Sequence, residues 1–536
     1  MSAVGDTEPA TPTPTPTPAP PTATATLRTL VLVFDGTADE YNAYDTNAVR
    51  LFGLLKKDDF RQQLCYYQSG IGTYFKPSIV SPLFDWCAKV LDEAFAFYLN
   101  EHVMDGYRFL MDNYHEGDRI CLFGFSRGAY TARALAGMLH KVGLLPRSNE
   151  EQVPFAFKMY KTTGKSADAL AAGYKQTFCQ DVQIEFLGVW ETVDSVGVVM
   201  TRTLPFTSTN TSIKTFRHAL ALDERRVKFL PYVLEPKTSP QAKNRTTDAL
   251  EVWFVGCHED IGGGAVANDV QRSLADITLR WMVRETMAYS CGIRYVEGAM
   301  AKSQIELNYP PSSSSSAAST SKGKARAVEA ELEAEAEADE GGVNGAEAAD
   351  KEADAHADEG TAPAEPQAEA AHTRPILDRN RLSTMSSNKP LPTTPPASID
   401  AIDATKLIND ALRFTGPGAG GGSGDGEVKA FFVALGWRVV ELLPLVWKVQ
   451  DVQGKWHTKF GLHLWKGRQI VDPNPNFHIT VKDRIEDGKL AYVPKAVYTK
   501  GAEVYVECMR NTGLCVVVAD DSLPVDVYRK YSCDPL

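Results

Sequence analysis

The sequence predicts an α/β fold in which a mainly parallel sheet carries helices on both faces. Four short segments contain runs of apolar, β-favouring residues, as buried central strands do, and they lie at 26–37, 119–125, 182–190 and 249–256. Helical patterns separate some of these segments, at 94–114 and 127–145. Strands that alternate with helices are typical of parallel sheets, because each crossover needs a connection of that length.

Composition divides the 536-residue chain into four parts. Residues 1–26 are mostly Thr, Pro and Ala, which cannot bury enough surface to fold, so we expect a disordered tail. The predicted α/β domain occupies 27–309. Residues 310–427 are acidic and rich in Ser, Pro and Gly, and they predict a disordered insertion with one short helix at 399–414. Order resumes over 428–536, which we expect to be an extension packed on the α/β domain.

The formal charge of −12 is concentrated in one segment. Between Glu329 and Glu369 there are 15 acidic residues and one Lys, and the rest of the chain is close to neutral. The acidity therefore belongs to the insertion and carries no information about a substrate. A nucleic-acid partner bound through a broad basic surface is disfavoured.

Cysteine usage and hydropathy indicate a cytoplasmic protein. The nine cysteines are scattered without a CxxC pair, which favours reduced thiols over a disulfide framework or a zinc site. The first 26 residues do not resemble a signal peptide. No apolar run reaches the roughly 18 residues that a membrane helix needs. The nearest is 431–447, which we interpret as a buried helix, with a lipid-facing or lid role as the alternative. No metal or cofactor is expected.

The sequence Gly124-Phe125-Ser126-Arg127-Gly128 has the form G-x-S-x-G. An apolar strand runs directly into it and an Ala-rich helix runs out of it. A serine on such a strand-to-helix turn adopts a strained backbone, and small residues on either side prevent clashes. The pattern predicts a nucleophilic serine at the carboxyl edge of the sheet. The alternative is an ordinary turn that carries a capping serine.

A serine hydroxyl needs a base, and the base needs an acid to orient it. In hydrolases with this turn, acid and histidine follow the serine, each after a later strand. His258 follows strand 249–256 and precedes three glycines, which makes it the preferred base over His218 and His478. The acid is either Glu191, directly after strand 182–190, or Asp194 three residues further on.

Developing charge on the substrate oxygen would be stabilised by backbone N–H groups. We expect one from Arg127 and a second from Gly36, in the Asp35-Gly36-Thr37 turn after the first strand. We expect Asp260 to fix the loop after His258 rather than bind a metal. The charged stretch 217–225 is interpreted as a helix face with paired charges, and the alternative is that it borders the mouth of the active site.

Five motifs of this chain occur together and in one order: FDGT, GDRICLFGFSRGAYTARALAG, FLGVWETVDSVG, HALALDERR and VWFVGCHEDIGGG. Over roughly 27–295 the chain thereby resembles the catalytic domain of the type VI secretion phospholipase effectors and their fungal homologues. The resemblance implies an α/β-hydrolase-like fold and serine-dependent ester hydrolysis. It also implies that Ser126 is the nucleophile and His258 its histidine. The family has Asp where this chain has Glu191.

Two functions follow as hypotheses. The first is a serine hydrolase that cleaves a small-molecule or lipid ester, with peripheral membrane contact compatible with the sequence. The second is a catalytically silent protein of the same fold that binds a lipid or a protein, its disordered arms supplying contacts to other proteins. The replaced acid and the long insertion motivate the second hypothesis.

Overall fold

The computed structural model describes eleven parts of the chain, namely 27–36, 43–70, 84–193, 204–235, 246–270, 272–305, 396–410, 412, 434–451, 456–507 and 516–518. Three of the features predicted above lie outside these ranges: the tail at 1–26, most of the insertion at 310–427, and Asp194.

The strands form one large sheet and one hairpin. They are β1 (Thr29–Phe34), β2 (Gln63–Gln68), β3 (Arg119–Phe125), β4 (Ile184–Trp190), β5 (Ile213–Ala221), β6 (Asp248–Phe254), β7 (Leu445–Gln450), β8 (Trp456–Gly461), β9 (Asn476–His478), β10 (Val504–Glu507) and β11 (Val516–Val518). In the sheet the strand order is β11-β10-β9-β6-β5-β4-β3-β1-β2, and every pair is parallel except β10 with β11. Strands β7 and β8 pair only with each other, in antiparallel register.

Helices cover both faces of the sheet. They are α1 (Asn47–Leu54), α2 (Phe84–Asn113), α3 (Ser126–Val142), α4 (Val153–Lys161), α5 (Lys165–Phe178), α6 (His258–Gly262), α7 (Leu274–Ala288), α8 (Glu297–Lys302), α9 (Pro396–Asp403), α10 (434–441) and α11 (Ile479–Glu486). None of the helices within the described ranges has both the length and the apolar run needed to cross a bilayer.

Alternate residues of β1 face two different cores. Leu30 and Leu32 pack with the buried sides of α2 to α5, whereas Val31 and Val33 pack with α1 and α7. All six residues of β1 are buried. A strand buried on both faces has no polar side, which is why β1 and β3 are continuous apolar runs in the sequence. The predicted α/β fold with a mainly parallel sheet is confirmed.

The order of the first strands creates the crevice in which ligands of such sheets bind. The chain passes from β1 to β2 on one side of β1 and then to β3 on the other side. Phe34 is the register partner of Gly124, so β1 and β3 end side by side. Loops that leave two such strands diverge, and ligands of open α/β sheets bind between them, outside the carboxyl ends. The G-x-S-x-G turn lies at this point.

The structure corrects two predictions about charged or apolar segments. Residues 213–221 form β5, so much of the stretch predicted as a helix face with paired charges is a central strand. The buried charge of Arg217 is neutralised there by Glu285 and Asp248. Within 431–447, predicted as a buried helix, only 434–441 is helical among the described residues, and β7 follows.

The chain rejoins the α/β domain before the end of the predicted insertion. Helix α9 (Pro396–Asp403) begins before the predicted 399–414 and ends earlier. Arg280 of α7 holds it by donating to Asp400 and to Asp403, each over 2.6 Å, in a pair of buried contacts. Strand β9 then pairs with β6. The segment after 428 therefore continues the central sheet of the α/β domain.

Candidate active site

The serine turn has the strained geometry that its sequence predicts. Ser126 begins α3 directly after β3 and has φ +56°, a left-handed conformation that is costly for a residue with a Cβ. A Cβ at Gly124 would lie 2.5 Å from the carbonyl oxygen of Gly128, and one at Gly128 would overlap the carbonyl oxygens of Phe34 and Asp35. Only glycine fits at either position, so the turn brings three backbone segments into contact around the serine.

His258 lies at the start of α6, after β6, and its ring contacts the Ser126 side chain. Its Nε2 is 2.9 Å from Ser126 Oγ, and both residues are buried. The ring packs between Phe125 and Phe229, with ring centroids 4.8 and 4.7 Å away. A Cβ at Gly262 would overlap the Phe125 ring, so the glycine lets the histidine loop pack directly on β3.

The carboxylate of Glu191 contacts the ring of His258. Its Oε2 is 2.9 Å from His258 Nδ1, and the side chain is fully buried. Glu191 directly follows β4 with φ +49°, a second left-handed residue at the edge of the sheet. The serine, histidine and glutamate therefore form one continuous hydrogen-bonded line.

The carboxylate of Glu191, when ionised, determines which atom donates in each hydrogen bond of the line. Both carboxylate oxygens can only accept, so His258 Nδ1 must carry a proton and donate it. In a neutral imidazole the other nitrogen, Nε2, is then an acceptor. Ser126 Oγ–H donates to that nitrogen, which is the arrangement needed for the histidine to remove the serine proton.

A second residue holds the same carboxylate from the other side. Arg468 donates from Nη1 to Glu191 Oε1 and from Nη2 to Oε2, each over 2.7 Å, while the N–H of Ala221 donates to Oε1 over 2.6 Å. Burial alone would raise the pKa of Glu191, but the Arg468 charge and the hydrogen bonds outweigh it and hold the pKa at about 2. The carboxylate is therefore ionised at neutral pH.

Charged residues after β5 support the histidine loop. The N–H of His258 donates to Glu224 Oε2 over 3.2 Å. Glu224 is itself paired with Arg226, whose Nε and Nη2 donate over 2.9 and 2.8 Å. The Arg226 guanidinium lies 3.7 Å from the ring centroid of Phe229 and 5.1 Å from that of Trp437. The charges on this side of the site, those of Glu224 and Arg226, are therefore paired with each other.

The turn after β1 approaches the serine through its backbone. Gly36 N–H donates to Oδ1 of Asp35 over 2.7 Å, so the amide predicted as an oxyanion donor has a partner in this structure. Asp35 also accepts from Thr46 and Tyr67, each over 2.7 Å. Burial raises the pKa of Asp35 to about 6, although these three hydrogen bonds oppose the rise. Arg127, the other residue predicted to supply an oxyanion N–H, is the second residue of α3.

Asp260 caps the helix that carries His258. Its Oδ2 accepts from the N–H of Cys257 over 2.9 Å, and Asn409, in the segment after α9, donates to both of its oxygens. Burial raises its pKa to about 7, against these hydrogen bonds. No cluster of three or more metal-ligating side chains occurs in the part of the chain that the structure describes.

The two alternative histidines have other partners. His218 is buried on β5, where Nδ1 contacts Glu251 over 2.8 Å and Nε2 accepts from the N–H of Thr192 over 3.1 Å. His478 is buried, and its ring stacks on Phe254. Both fill structural positions in the sheet.

Sequence reasoning missed the residues that reach the site from distant parts of the chain. Arg468 lies 210 residues after His258, and no motif spacing connects the two. Glu224 was part of the stretch predicted as a helix face, for which bordering the active site was the alternative. Trp437, whose ring lies 5.4 Å from that of Phe229, belongs to the predicted apolar helix.

Comparison with known proteins finds similarity over the part of the chain that carries this site. Residues 28–285 match the family model described as the T6SS phospholipase effector Tle1-like catalytic domain. Over 224 residues the chain is 38% identical to the uncharacterized protein YEL023C of Saccharomyces cerevisiae, a match that covers 39% of this chain and 33% of the yeast protein. The chain thus spans about a third of the length of this curated relative.

Two solved structures are also similar. An uncharacterized protein from Pseudomonas aeruginosa matches over 52% of this chain and 49% of its own, with 18% identity and a TM-score of 0.32. The Tle1 effector bound to the VgrG spike of the type 6 secretion system matches over 53% of this chain and 77% of its own, with 16% identity and a TM-score of 0.33.

Proposed function

We propose that this protein is a serine hydrolase that cleaves carboxylic esters of lipids, phospholipids in particular. The match of residues 28–285 to the Tle1-like phospholipase effector catalytic domain supports this substrate class. One observation carries the proposal: Ser126 Oγ, the His258 ring and the Glu191 carboxylate are joined by two hydrogen bonds of 2.9 Å. Such an arrangement activates a serine hydroxyl, which is otherwise a weak nucleophile.

The reaction follows from this geometry. Ser126 Oγ forms a bond to the ester carbonyl carbon while its proton passes to His258 Nε2. The tetrahedral intermediate collapses, the ester C–O bond breaks, and the leaving alcohol takes the proton from Nε2. Water then repeats the sequence on the acyl-enzyme and releases the fatty acid. Throughout, Glu191 keeps the imidazole in the required tautomer and stabilises its charged form.

The oxyanion would be stabilised by backbone N–H groups at the same turn. Arg127 lies in the first turn of α3, and the N–H groups of a first turn point outward at the N-terminal end of the helix, where an anion can bind. Gly36 is the second candidate, and its N–H would have to leave Asp35 Oδ1 when a substrate binds. Gly36 and Arg127 each come two residues after a strand, β1 and β3 respectively, and these two strands end side by side.

An apolar surface beside the site supports delivery of substrate from an anionic bilayer. Eight large apolar side chains are exposed on α10, the β7–β8 hairpin and the residues after each: Leu435, Val439, Leu442, Leu443, Val446, Phe460, Leu462 and Leu464. Phe460, 73% exposed, is the cross-strand partner of Val446. We call these eight residues the apolar ridge. Clusters of this kind on a protein surface commonly mark interaction sites.

Charge and position both favour a bilayer as the occupant of the apolar ridge. Lys448, Lys459 and Lys466 lie along the same segment, in which Glu441 is fully buried and Asp451 is paired with His457. Basic side chains beside apolar ones are typical of surfaces that bind anionic lipids. Trp437 of α10 connects the ridge to the site through Phe229 and His258.

A hydrolysis assay with a matched serine control tests the proposed activity. Wild type should hydrolyse short-chain nitrophenyl esters and at least one member of a phospholipid panel, and Ser126→Ala should abolish turnover. Ser148→Ala, which changes an exposed serine that also has a positive φ, should leave turnover unchanged. No turnover by a well-folded wild type would favour the silent binding module instead.

Vesicle binding tests the apolar ridge separately. The double variant Leu442→Glu/Phe460→Glu should bind phosphatidylglycerol vesicles at least about tenfold more weakly than wild type, because it removes apolar contacts and adds negative charge. Its turnover of soluble nitrophenyl esters should not change. Leu170→Glu, at an exposed position of α5, is the matched control. Equal vesicle binding by the double variant and wild type would refute the assignment.

The described cysteines are consistent with the predicted cytoplasmic location, which we retain as a proposal. Five of them are free thiols, Cys65, Cys121, Cys179, Cys257 and Cys291. Free thiols are typical of a reducing compartment.

A further inference from the structure

We propose that Arg468 is a positioning residue of the triad, so that the active site is completed only by the segment that follows the long insertion. This inference rests on the proposed serine-hydrolase function. Arg468 lies well outside the matched domain at 28–285. A chain that ended with that domain would have the serine, the histidine and the glutamate without the residue that holds the glutamate in place.

The contact between Arg468 and Glu191 is bidentate. Two nitrogens of the planar guanidinium each donate to one carboxylate oxygen over 2.7 Å. Arg468 and Glu191 are 1% and 0% exposed, respectively. Parallel hydrogen bonds of this kind fix the plane of the carboxylate as well as its position. The carboxylate plane in turn determines the direction from which Oε2 can accept the His258 Nδ1 proton.

Arg468 is itself held by backbone contacts at the edge of the sheet. Its Nη1 donates to the carbonyl oxygen of Ala221 over 3.0 Å, and Nη2 donates to that of Phe229. Its own carbonyl accepts from the N–H of Val497 over 2.7 Å. Residue 496 donates to the carbonyl of Leu222, directly after β5. The arginine is therefore fixed to the same strand end as the acid that it orients.

The contact with Arg468 keeps the buried carboxylate of Glu191 ionised. Glu191 is fully buried, and an isolated buried carboxylate would favour its protonated form. A protonated Glu191 could no longer stabilise the imidazolium that forms during catalysis. The Arg468 charge removes that difficulty, and the bidentate geometry prevents the flexible glutamate from turning away from His258.

The other charged groups described near Glu191 and Arg468 are already paired with partners of their own. On the side of β5, His218 bonds Thr192, next to Glu191, and is itself paired with Glu251. On the loop after β5, Glu224 is neutralised by Arg226. Arg468 is thus the cation in direct contact with Glu191 among the described residues. Its removal should change the protonation of Glu191 more than that of its neighbours.

Two substitutions test the role. Arg468→Lys keeps a charge but loses the bidentate geometry, and it should lower kcat on a nitrophenyl ester roughly 10- to 100-fold with a smaller change in KM, as small misplacements of catalytic groups do. Arg468→Gln should in addition move the acid limb of the kcat/KM profile to higher pH, because Glu191 then protonates more readily. If Arg468→Gln does not fold, the kcat of Arg468→Lys tests the role by itself.

A double-mutant comparison separates positioning from a general structural role. If Arg468 acts through Glu191, then Arg468→Lys should cost less than about threefold in a Glu191→Gln background. Arg484→Lys is the matched control, because Arg484 is a buried arginine of the same segment that donates to the carbonyls of Ala404 and Lys406. It should leave kcat and the pH profile as in wild type.

The outcomes are distinct. Wild-type kcat and an unchanged pH profile in a folded Arg468→Lys would overturn the inference while the proposed function stands. An equal loss in the Glu191→Gln background, or an equal loss in Arg484→Lys, would also overturn it, since both indicate a purely structural effect. A wild type that neither turns over esters nor reacts with a fluorophosphonate would overturn the proposed function and the inference with it.

Discussion

The backbone N–H of His258 donates to the side chain of Glu224, which joins the segment that carries His258 to the loop after β5. Glu224 also accepts from the N–H groups of Arg225 and Arg226 and forms a buried ion pair with the Arg226 side chain. One carboxylate therefore organises two loops. Burial alone would raise its pKa, but the Arg226 charge and the hydrogen bonds hold the pKa of Glu224 well below its usual range.

Glu224→Gln should destabilise the protein in a pH-dependent manner. Removing one partner of a buried pair costs about 3–5 kcal/mol of unfolding free energy at pH 7. Because the folded-state pKa is depressed, wild type has this contribution above the unfolded carboxyl pKa and loses it as pH falls toward the folded value. The difference between variant and wild type should therefore shrink below about pH 4.5.

Urea unfolding at pH 7, 5, 4 and 3.5 measures this difference. Glu185→Gln is the control, since Glu185 forms a more exposed pair with Lys214 and should cost less than about 1 kcal/mol at any pH. A Glu224→Gln penalty that is the same at every pH would show that the charge of Glu224 contributes nothing.

Gly128→Ala should damage both the fold and the reaction. The added methyl would overlap the backbone carbonyls of Phe34 and Asp35, which cannot move aside as a flexible side chain could. We expect a loss of about 1–3 kcal/mol in unfolding free energy from overpacking and a loss of at least about 100-fold in kcat from displacement of Ser126.

Gly173→Ala provides the matched control for that substitution. Gly173 lies within α5 with open space at its Cβ position. Alanine there should stabilise the protein by about 0.5–1 kcal/mol, because it favours the helix, and should leave kcat unchanged. Thermal unfolding and ester hydrolysis measure both variants, and equal behaviour of the two would contradict the geometry described for the turn.

The length of the Glu191 side chain should matter as well as its charge. Aspartate is one methylene shorter, so from the same backbone its carboxylate cannot keep the contacts that Glu191 makes with both His258 and Arg468. We expect Glu191→Asp to lower kcat at least about 100-fold and Glu191→Gln to lower it about 10⁴-fold, because the wrong tautomer is stabilised.

Asp194→Asn should retain activity within about threefold of wild type if Glu191 is the acid. The reverse ranking of these variants would move the acid to Asp194.

Local sequence was sufficient for the serine turn and for its two partners. The apolar run of β3 and the glycines on either side of Ser126 define a strand, a turn and a helix within a few residues. In a parallel sheet the carboxyl ends of the strands share one edge, so residues that follow β4 and β6 were expected to meet there. His258 and Glu191 are found at that edge.

Other parts of the fold depend on contacts that the local pattern does not contain. Strand β5 carries Arg217 and His218, and two adjacent polar residues do not suggest a buried strand. They are accommodated because Arg217 pairs with Glu285 and His218 with Glu251. Arg468 reaches Glu191 only because residues 496 and 497 pin its backbone near the end of β5. Contacts between residues so distant in sequence follow from the assembled sheet, with no local signal.

Covalent labelling of Ser126 is the most direct test of the central claim. Wild type treated with a fluorophosphonate should gain one adduct, mapped by mass spectrometry to the peptide that contains Ser126, and labelling should be absent in Ser126→Ala and strongly slowed in His258→Ala. An activated serine is required for this reaction. A folded wild type that remains unlabelled, or an adduct on another serine, would contradict the account.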